Sequence, residues 1–355
     1  MLRKKRHLGF FALICGLSLL CSSICSCSFL SKDKLYSFEF FDYFDTVCSL
    51  KIYANKNEAE DIEKKFKELL SDYDSLLDIY DSHGDTVNLY DVNENAKKDA
   101  LKVDKRLFDI LSFGKEMYEL TGGECNIALG SVISLWHTAR EISTKDPSAA
   151  YIPFDEELKN ALEHTDISAL VLNVTELSVS ISDPQLLLDC GAIAKGYVAE
   201  RAAELLNSLG CESYLINLGG NVLANGEKSD GKLWSAAIED ADKDSKSGIL
   251  CKLELNSQTL VTSGSYQRFY TVGGKNYSHI VSNSNGMPPE IFVSVSVLAS
   301  AKNSGIADAL STALFCMSLD EGKALINSLD GVEALWVTSN GEKHTSNGFE
   351  VKSWS

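Results

Sequence analysis

The chain has 355 residues, enough for one large domain or two ordinary ones with a full core. With 45% hydrophobic and 23% charged residues, it has the composition of a globular protein. Fifty acidic against 33 basic residues give a net charge of −17, which excludes functions that need a basic face, nucleic-acid binding above all.

The start stands apart from the rest. Arg3, Lys4, Lys5 and Arg6 precede an apolar run from Leu8 to Leu20, too short to span a bilayer and suited to the core of an export signal. Cys15, Cys21, Cys25 and Cys27 lie in or just after that run. Ile24-Cys25-Ser26-Cys27 best fits the aliphatic-small-small-Cys pattern of a bacterial lipoprotein. The expectation is a signal peptide over 1–26, a lipidated Cys27, a tether over 27–36 and one domain over 37–355. The product would be a membrane-anchored lipoprotein facing the periplasm or cell exterior. The six remaining cysteines (Cys48, Cys125, Cys190, Cys211, Cys251, Cys316) are scattered without a C-x-x-C spacing, so zinc is not expected and mostly buried free thiols are.

Ser37 to Tyr53 is rich in β-forming and aromatic residues, and Val47 to Tyr53 alternates as a strand does. Glu58 to Leu77 places Ile62, Phe66, Leu69, Leu70 and Tyr73 at helical spacing. A polar loop with His83 follows. Asp104 is placed as the N-cap of a helix ending at Thr121-Gly122-Gly123. Ser131 to Arg140 and Asp155 to His164 read as short helices, and Leu170 to Asn173 and Ser178 to Ile181 as strands. Leu186 to Leu188 reads as an apolar strand running into Asp189, a glycine turn and a helix from Ala192 to Leu209. Further strands are expected at Tyr214 to Leu218, Trp234 to Ile238, Cys251 to Leu255 and Leu260 to Thr262, then an aromatic strand after a turn within Ser263 to Tyr270 and a strand-like run from Tyr277 to Val281 that contains His279. In Phe292 to Ser300, Val293, Val295 and Val297 would share one face and Ser294 and Ser296 the other. Helices at Gly305 to Met317 and Glu321 to Leu329 and a strand at Ala334 to Val337 complete an α+β pattern of mostly antiparallel sheets flanked by helices.

Three places carry candidate chemistry. The start of the helix after Asp189 offers unpaired N–H groups, the positive end of a helix dipole and the Lys195 ammonium, a combination suited to phosphate. Asp308 and Thr312 lie one turn apart, opposite the stripe of Ile306, Leu310, Ala313, Leu314 and Met317. A carboxylate with a hydroxyl is an oxygen pair suited to Mg²⁺, which keeps few protein ligands. His279, by its ordinary pKa, is a candidate base for a hydroxyl nucleophile.

Four ordered blocks extend these readings: Leu188 to Gly196, Thr262 to Tyr266, Tyr277 to Ile280, and Asp308 to Thr312. Together they resemble the ApbE family of flavin transferases, which move FMN from FAD onto a protein. The resemblance runs from about Phe41 to Leu329 and implies a T-fold-related architecture. It implies Mg²⁺ bound by Asp308, Thr312 and the Ala192 carbonyl. An FAD site would be lined by Phe44, Tyr80, Ala128, Leu129, Gly130, Asp189, Lys195, His279 and Ile280, with His279 and Asp308 catalytic. It further implies an acceptor hydroxyl on a subunit of a sodium-translocating quinone reductase or an Rnf-type complex. A Mg²⁺-dependent FAD pyrophosphatase and a non-catalytic flavin-binding lipoprotein are the competing readings. Where the family has Asp-Pro-x-Thr-Gly after the histidine, this chain has Ser282-Asn283-Ser284-Asn285-Gly286. Phe44 stands at the position of a family methionine.

Overall fold

The computed structural model of the chain describes residues 34–84, 86–242 and 245–354; the leader, Cys27 and most of the tether lie outside the described residues. A hairpin of β1 (Lys34–Tyr43) and β2 (Thr46–Ala54) leads into α1 (Lys56–Leu77) and α2 (Leu89–Asn95). Next come β3 (Leu101–Lys102), α3 (Lys105–Leu120), α4 (Gly130–Lys145), α5 (Asp155–Leu162), β4 (Leu170–Asn173), β5 (Ser178–Ile181) and α6 (Ala194–Ser208). A run of strands follows: β6 (Tyr214–Leu218), β7 (Asn221–Asn225), β8 (Trp234–Glu239), β9 (Ile249–Leu255), β10 (Gln258–Gly264), β11 (Phe269–Val272), β12 (Lys275–Ser278) and β13 (Phe292–Ser300). The chain closes with α7 (Ser304–Cys316), α8 (Leu319–Asn327), β14 (Glu333–Thr338), β15 (Lys343–Thr345) and β16 (Ser353–Trp354).

Eight strands form one antiparallel sheet in the order β1-β2-β6-β7-β10-β13-β14-β15. Helices α1, α6 and α7 cover one face. There Phe66, Leu70, Val198 and Ala202 pack with Leu50, Ile52 and Ile216, and Leu310 and Leu314 pack with Val261, Val297 and Trp336. The three-stranded sheet β16-β9-β8 covers the other face, setting Trp234, Ile238 and Leu253 against Ala224, Leu260, Leu298 and Leu335. A satellite cluster of Trp136, Leu158, Tyr270 and Tyr277 holds α4 and α5 on the β11–β12 hairpin.

Local chemistry sets the ends of these elements. Asn55 accepts from the N–H groups of Asn57 and Glu58 and, with the Glu58 carboxylate returning to its own N–H, forms a capping box at α1. At the far end of α6, Gly210 takes φ +75°. Its N–H donates to Asn207 O, while Cys211 N–H reaches Leu206 O, the paired closure that an αL glycine makes possible. All six described cysteines are free thiols, five of them buried.

The structure corrects several expectations. The β-rich stretch from Ser37 to Tyr53 is two strands, because Phe44 and Asp45 both take positive φ (54° and 49°) in a two-residue turn of the I′ kind that suits strand twist. Leu186 to Leu188 is no strand, although it is extended. Its ladder partners are replaced by a side chain and a loop: Asn93 brackets Leu188 with both amide atoms, Leu187 O accepts from Gly130 N–H, and Asp189 N–H donates to Ile127 O. The strand at Tyr277 stops at Ser278. In β13 both faces are buried, so Ser294 and Ser296 do not face water; Ser296 instead shares a 2.8 Å hydrogen bond with Thr262. The helix after Asp189 begins at Ala194, two residues later than expected, with Ala192 in the turn before it.

Candidate active site

Helices α6 and α7 cross where Gly196 faces Asp308. A Cβ on Gly196 would lie 2.3 Å from the Ser304 carbonyl oxygen and 2.5 Å from Asp308 Cβ, so only glycine allows this approach. The contact has a chemical result. The Gly196 N–H donates to Asp308 Oδ2 at 2.7 Å, so a side chain from α7 caps the third residue of α6. Ile193, the residue at the N-cap position, offers no side-chain cap.

The other groups of that first turn follow from this bond. Ala194 N–H is taken by Cys190 O, and Tyr197 N–H by Ile193 O. Gly196 N–H turns to Asp308 rather than back to Ala192. The Lys195 N–H and the Ala192 carbonyl are left without a protein partner among the described residues. Beside them the Lys195 side chain is half-buried. A donor, an ammonium and a helix N-terminus thus meet at one point, and an acceptor oxygen stands next to them.

Asp308 is 4% exposed. Thr312, one turn on, is half-buried, and its Oγ1 lies 3.4 Å from Ser263 Oγ on β10. Ser263 also meets Ser311 Oγ at 2.8 Å, while the Ser311 hydroxyl donates to the Asp308 carbonyl. These bonds hold α7 against β10 and fix the rotation that turns Asp308 toward α6. Among the described residues no group of three His, Cys, Asp or Glu side chains is gathered to hold a metal. One carboxylate, one hydroxyl and an unpartnered carbonyl form an oxygen-only donor set. That set fits a hard cation that completes its shell from water and substrate, not a zinc-type site.

A second wall is built around Asp189. Its Oδ1 accepts from Gly191 N–H at 2.7 Å, and the desolvation of its surroundings pushes the carboxyl above the usual range, opposed by that bond, His137 and Lys195. Tyr80, 56% exposed, stands in the loop after α1, where Asp78 Oδ1 accepts its N–H and Asp78 Oδ2 pairs with His83. Its hydroxyl reaches His137 Nδ1 at 3.2 Å. Phe44 supplies the hairpin turn, its N–H donating to Asp74 Oδ1 at 2.7 Å.

His279 follows β12. Its N–H and its Nδ1 both reach the Arg268 carbonyl, at 3.0 and 3.1 Å. A carbonyl only accepts, so Nδ1 carries the proton and Nε2 keeps its lone pair. Burial, reinforced by the positive charges of Lys195, Arg268 and Arg140, pushes the imidazole down to about 4. His279 is therefore neutral near pH 7. Arg268 in turn donates to the Asp45 carbonyl at 2.7 Å, tying this corner to the β1–β2 turn.

Lys195, Asp189, His279, Tyr80 and Phe44 thus belong to one neighbourhood, bounded by Asp308 and Thr312. Ala128, Leu129, Gly130 and Ile280 are buried. Gly130 is packed tightly: a Cβ there would meet Leu187 O at 2.5 Å. Sequence reasoning missed Arg268, Arg140 and His137. Arg268 follows the Thr262–Tyr266 block by two residues, and His137 lies inside the short helix expected from Ser131 to Arg140, but neither position announces a cleft by itself.

Comparison with known proteins adds an independent finding. A family model described as the ApbE family matches residues 44–336. Among curated proteins, the FAD:protein FMN transferase of Klebsiella pneumoniae (strain 342) is 27% identical over 312 residues, covering 88% of this chain and 92% of the relative. That of Treponema pallidum (strain Nichols) is 29% identical over 306 residues, with 82% of each chain covered. Among solved structures, the ApbE protein of Thermotoga maritima superposes with a TM-score of 0.78 at 24% identity, covering 89% of this chain and 98% of that one. The apo flavinyl transferase ApbE of Pseudomonas stutzeri gives 0.75 at 23% identity, covering 90% and 97%. These structural likenesses bear on the fold.

Proposed function

Because the chain belongs to the ApbE family, we propose that it is an FAD:protein FMN transferase, in keeping with the names of its relatives. The observation that carries this reading is the Asp308–Gly196 bond, which joins an oxygen pair suited to Mg²⁺ to a helix turn suited to phosphate. FAD has one pyrophosphate, and the reaction cuts there. The Lys195 ammonium and N–H, with the dipole of α6, bind those phosphates and orient them. Asp189, Tyr80, Phe44 and the backbone around Ala128 to Gly130 and Ile280 line the flavin end.

Asp308, Thr312 and the Ala192 carbonyl would hold Mg²⁺. Bound there, the ion supplies Lewis-acid neutralisation of charge on the pyrophosphate. A Thr or Ser hydroxyl of the acceptor forms a new O–P bond to the FMN phosphorus as the bridging P–O bond breaks and AMP leaves. The hydroxyl proton passes to a base, for which His279 offers a free Nε2 lone pair. An imidazole held near 4 is a weak base by itself, and a bound dianionic pyrophosphate strengthens it by opposing Lys195 and Arg268.

The acceptor we favour is a subunit of a sodium-translocating quinone reductase or Rnf-type complex, met outside the cytoplasm by an enzyme tethered through Cys27. Among the described residues no helix is long and apolar enough to cross a membrane.

The test incubates the protein with FAD and Mg²⁺, with and without an acceptor domain, following AMP release and flavin fluorescence on a denaturing gel. A fluorescent acceptor band abolished by chelation supports the transferase. AMP without a band replaces it with the pyrophosphatase, and tight FAD binding with no AMP leaves only a carrier.

A further inference from the structure

Two residues beside the site, His137 and Arg140, enter the chemistry above only through their charge. His137 and Arg140 sit on α4 at i and i+3, on one face of the helix. Arg140 Nη2 donates to His137 Nδ1 at 3.0 Å, and the Tyr80 hydroxyl lies within hydrogen-bond distance of the same nitrogen, at 3.2 Å. The Tyr80 ring also lies over the imidazole, with centroids 5.3 Å apart and planes tilted by 37°. Among the described residues His137 is the one hydrogen-bond partner of the Tyr80 hydroxyl. Asp78 Oδ1 accepts the backbone N–H groups of Tyr80 and Asp81 and leaves the Tyr80 ring untouched.

We propose that His137, held by Arg140, is the positioning residue that sets the Tyr80 ring for the flavin, and that it does so only as a neutral imidazole. This rests on the reading of Tyr80 as part of an FAD site. The logic is that of donors and acceptors. Arg140 has no lone pair to offer, so Nδ1 must be unprotonated to receive it, and the ring proton resides on Nε2. Protonation of Nδ1 removes the acceptor for Arg140 and sets an imidazolium against a guanidinium, which drives the ring from the place where it meets the Tyr80 hydroxyl. Tyr80, more than half exposed and on a loop, then loses the partner of its hydroxyl.

The charges facing the imidazole come from three elements. Arg140 and Glu141 lie on α4 itself, Asp189 on the segment before α6, and Asp45 on the β1–β2 turn. Desolvation and Arg140 hold the ring below its ordinary value against the pull of the three carboxylates. The neutral state is thus the resting state at neutral pH, and acid is the perturbation.

The experiment titrates FAD into the whole protein by flavin fluorescence from pH 4.5 to 8.5, for wild type, Tyr80→Phe, His137→Phe, His137→Gln and the double variant Tyr80→Phe/His137→Phe. Side-chain ¹⁵N NMR of the His137 ring without flavin runs alongside. The wild type should weaken roughly three- to tenfold at acid pH, the span of one neutral hydrogen bond. His137→Phe should show that loss at every pH with no acid limb, Tyr80→Phe should match it, and the double variant should be no worse. His137→Gln, which restores a neutral acceptor, should recover much of the affinity without the pH dependence. FAD affinities that ignore these substitutions, or losses that add in the double variant, overturn the proposal while leaving the transferase reading intact. A ring with Nδ1 protonated at neutral pH overturns it directly. Failure of the wild type to bind FAD while NMR shows Nδ1 unprotonated sinks the flavin-site reading and, with it, the role assigned to Tyr80.

Discussion

Asp308→Ala removes the acceptor of the Gly196 N–H, a 2.7 Å bond between two buried groups at the crossing of α6 and α7. A buried donor left unpaired costs about 1–3 kcal/mol, and loss of a helix cap typically about 1 kcal/mol; because these describe one bond, about 2 kcal/mol is expected in all. For a chain of this size that lowers Tm by about 3 °C. Asp308→Asn behaves differently. Its amide oxygen can still accept from Gly196, so stability should fall by less than about 1 kcal/mol, but the charge that a hard cation needs is gone. Its AMP release from FAD should fall beyond the roughly 10- to 100-fold that loss of an outer-shell partner costs a metal site, and raised Mg²⁺ should restore part of it. Thermal unfolding of both variants, paired with AMP release across a Mg²⁺ titration, separates the cap from the ligand. Wild-type turnover in Asp308→Asn would refute the metal role, and a wild-type Tm in Asp308→Ala would refute the cap.

Gly196→Ala should destabilise by about 1–3 kcal/mol and abolish FAD turnover, since its nearest obstruction is the Ser304 backbone carbonyl, which cannot swing aside; unfolding curves with activity assays check both. His279 is pushed down to about 4 in the folded protein against an ordinary value of about 6.5, so the unfolded chain binds this proton first. Its contribution to stability is present above pH 6.5 and lost as pH falls from about 6.5 through about 4; denaturant midpoints at pH 7 and 4.5 should differ less in His279→Gln than in the wild type. Asp45→Gly should stabilise by about 0.5–1 kcal/mol, because Asp45 holds φ +49° and glycine does so without strain, while the carbonyl that receives Arg268 is retained. A denaturant midpoint at or below that of the wild type would count against that strain argument.

Much of the fold was legible along the chain. The amphipathic stripe of α1, the glycine after α6, the N-cap Asp104 and the span of β13 are local properties, written in spacing and in residue types with one physical use. The errors fall where a backbone found its partner far away in sequence. Leu186 to Leu188 has the composition of a strand but pairs with Asn93 and the loop at Ile127 to Gly130, and no local pattern encodes a partner 95 residues distant. Ser294 and Ser296 alternate like solvent-facing residues, yet the β8–β9 layer covers them and Thr262 satisfies Ser296.

The same division runs through the site. By itself the sequence determined which chemistry was available: an acid and a lysine around a helix start, a carboxylate and a hydroxyl one turn apart, a histidine in a strand-like run. Only the tertiary structure decided that these meet, because the meeting depends on a missing Cβ at Gly196, 112 residues from the carboxylate it admits. It also decided the electrical state of His279, whose low proton affinity arises from burial and from Lys195, Arg268 and Arg140 gathered from three elements of the fold. Helical period and residue type are properties of neighbours in the chain. Desolvation and charge proximity are properties of neighbours in space, and no spacing rule carries them.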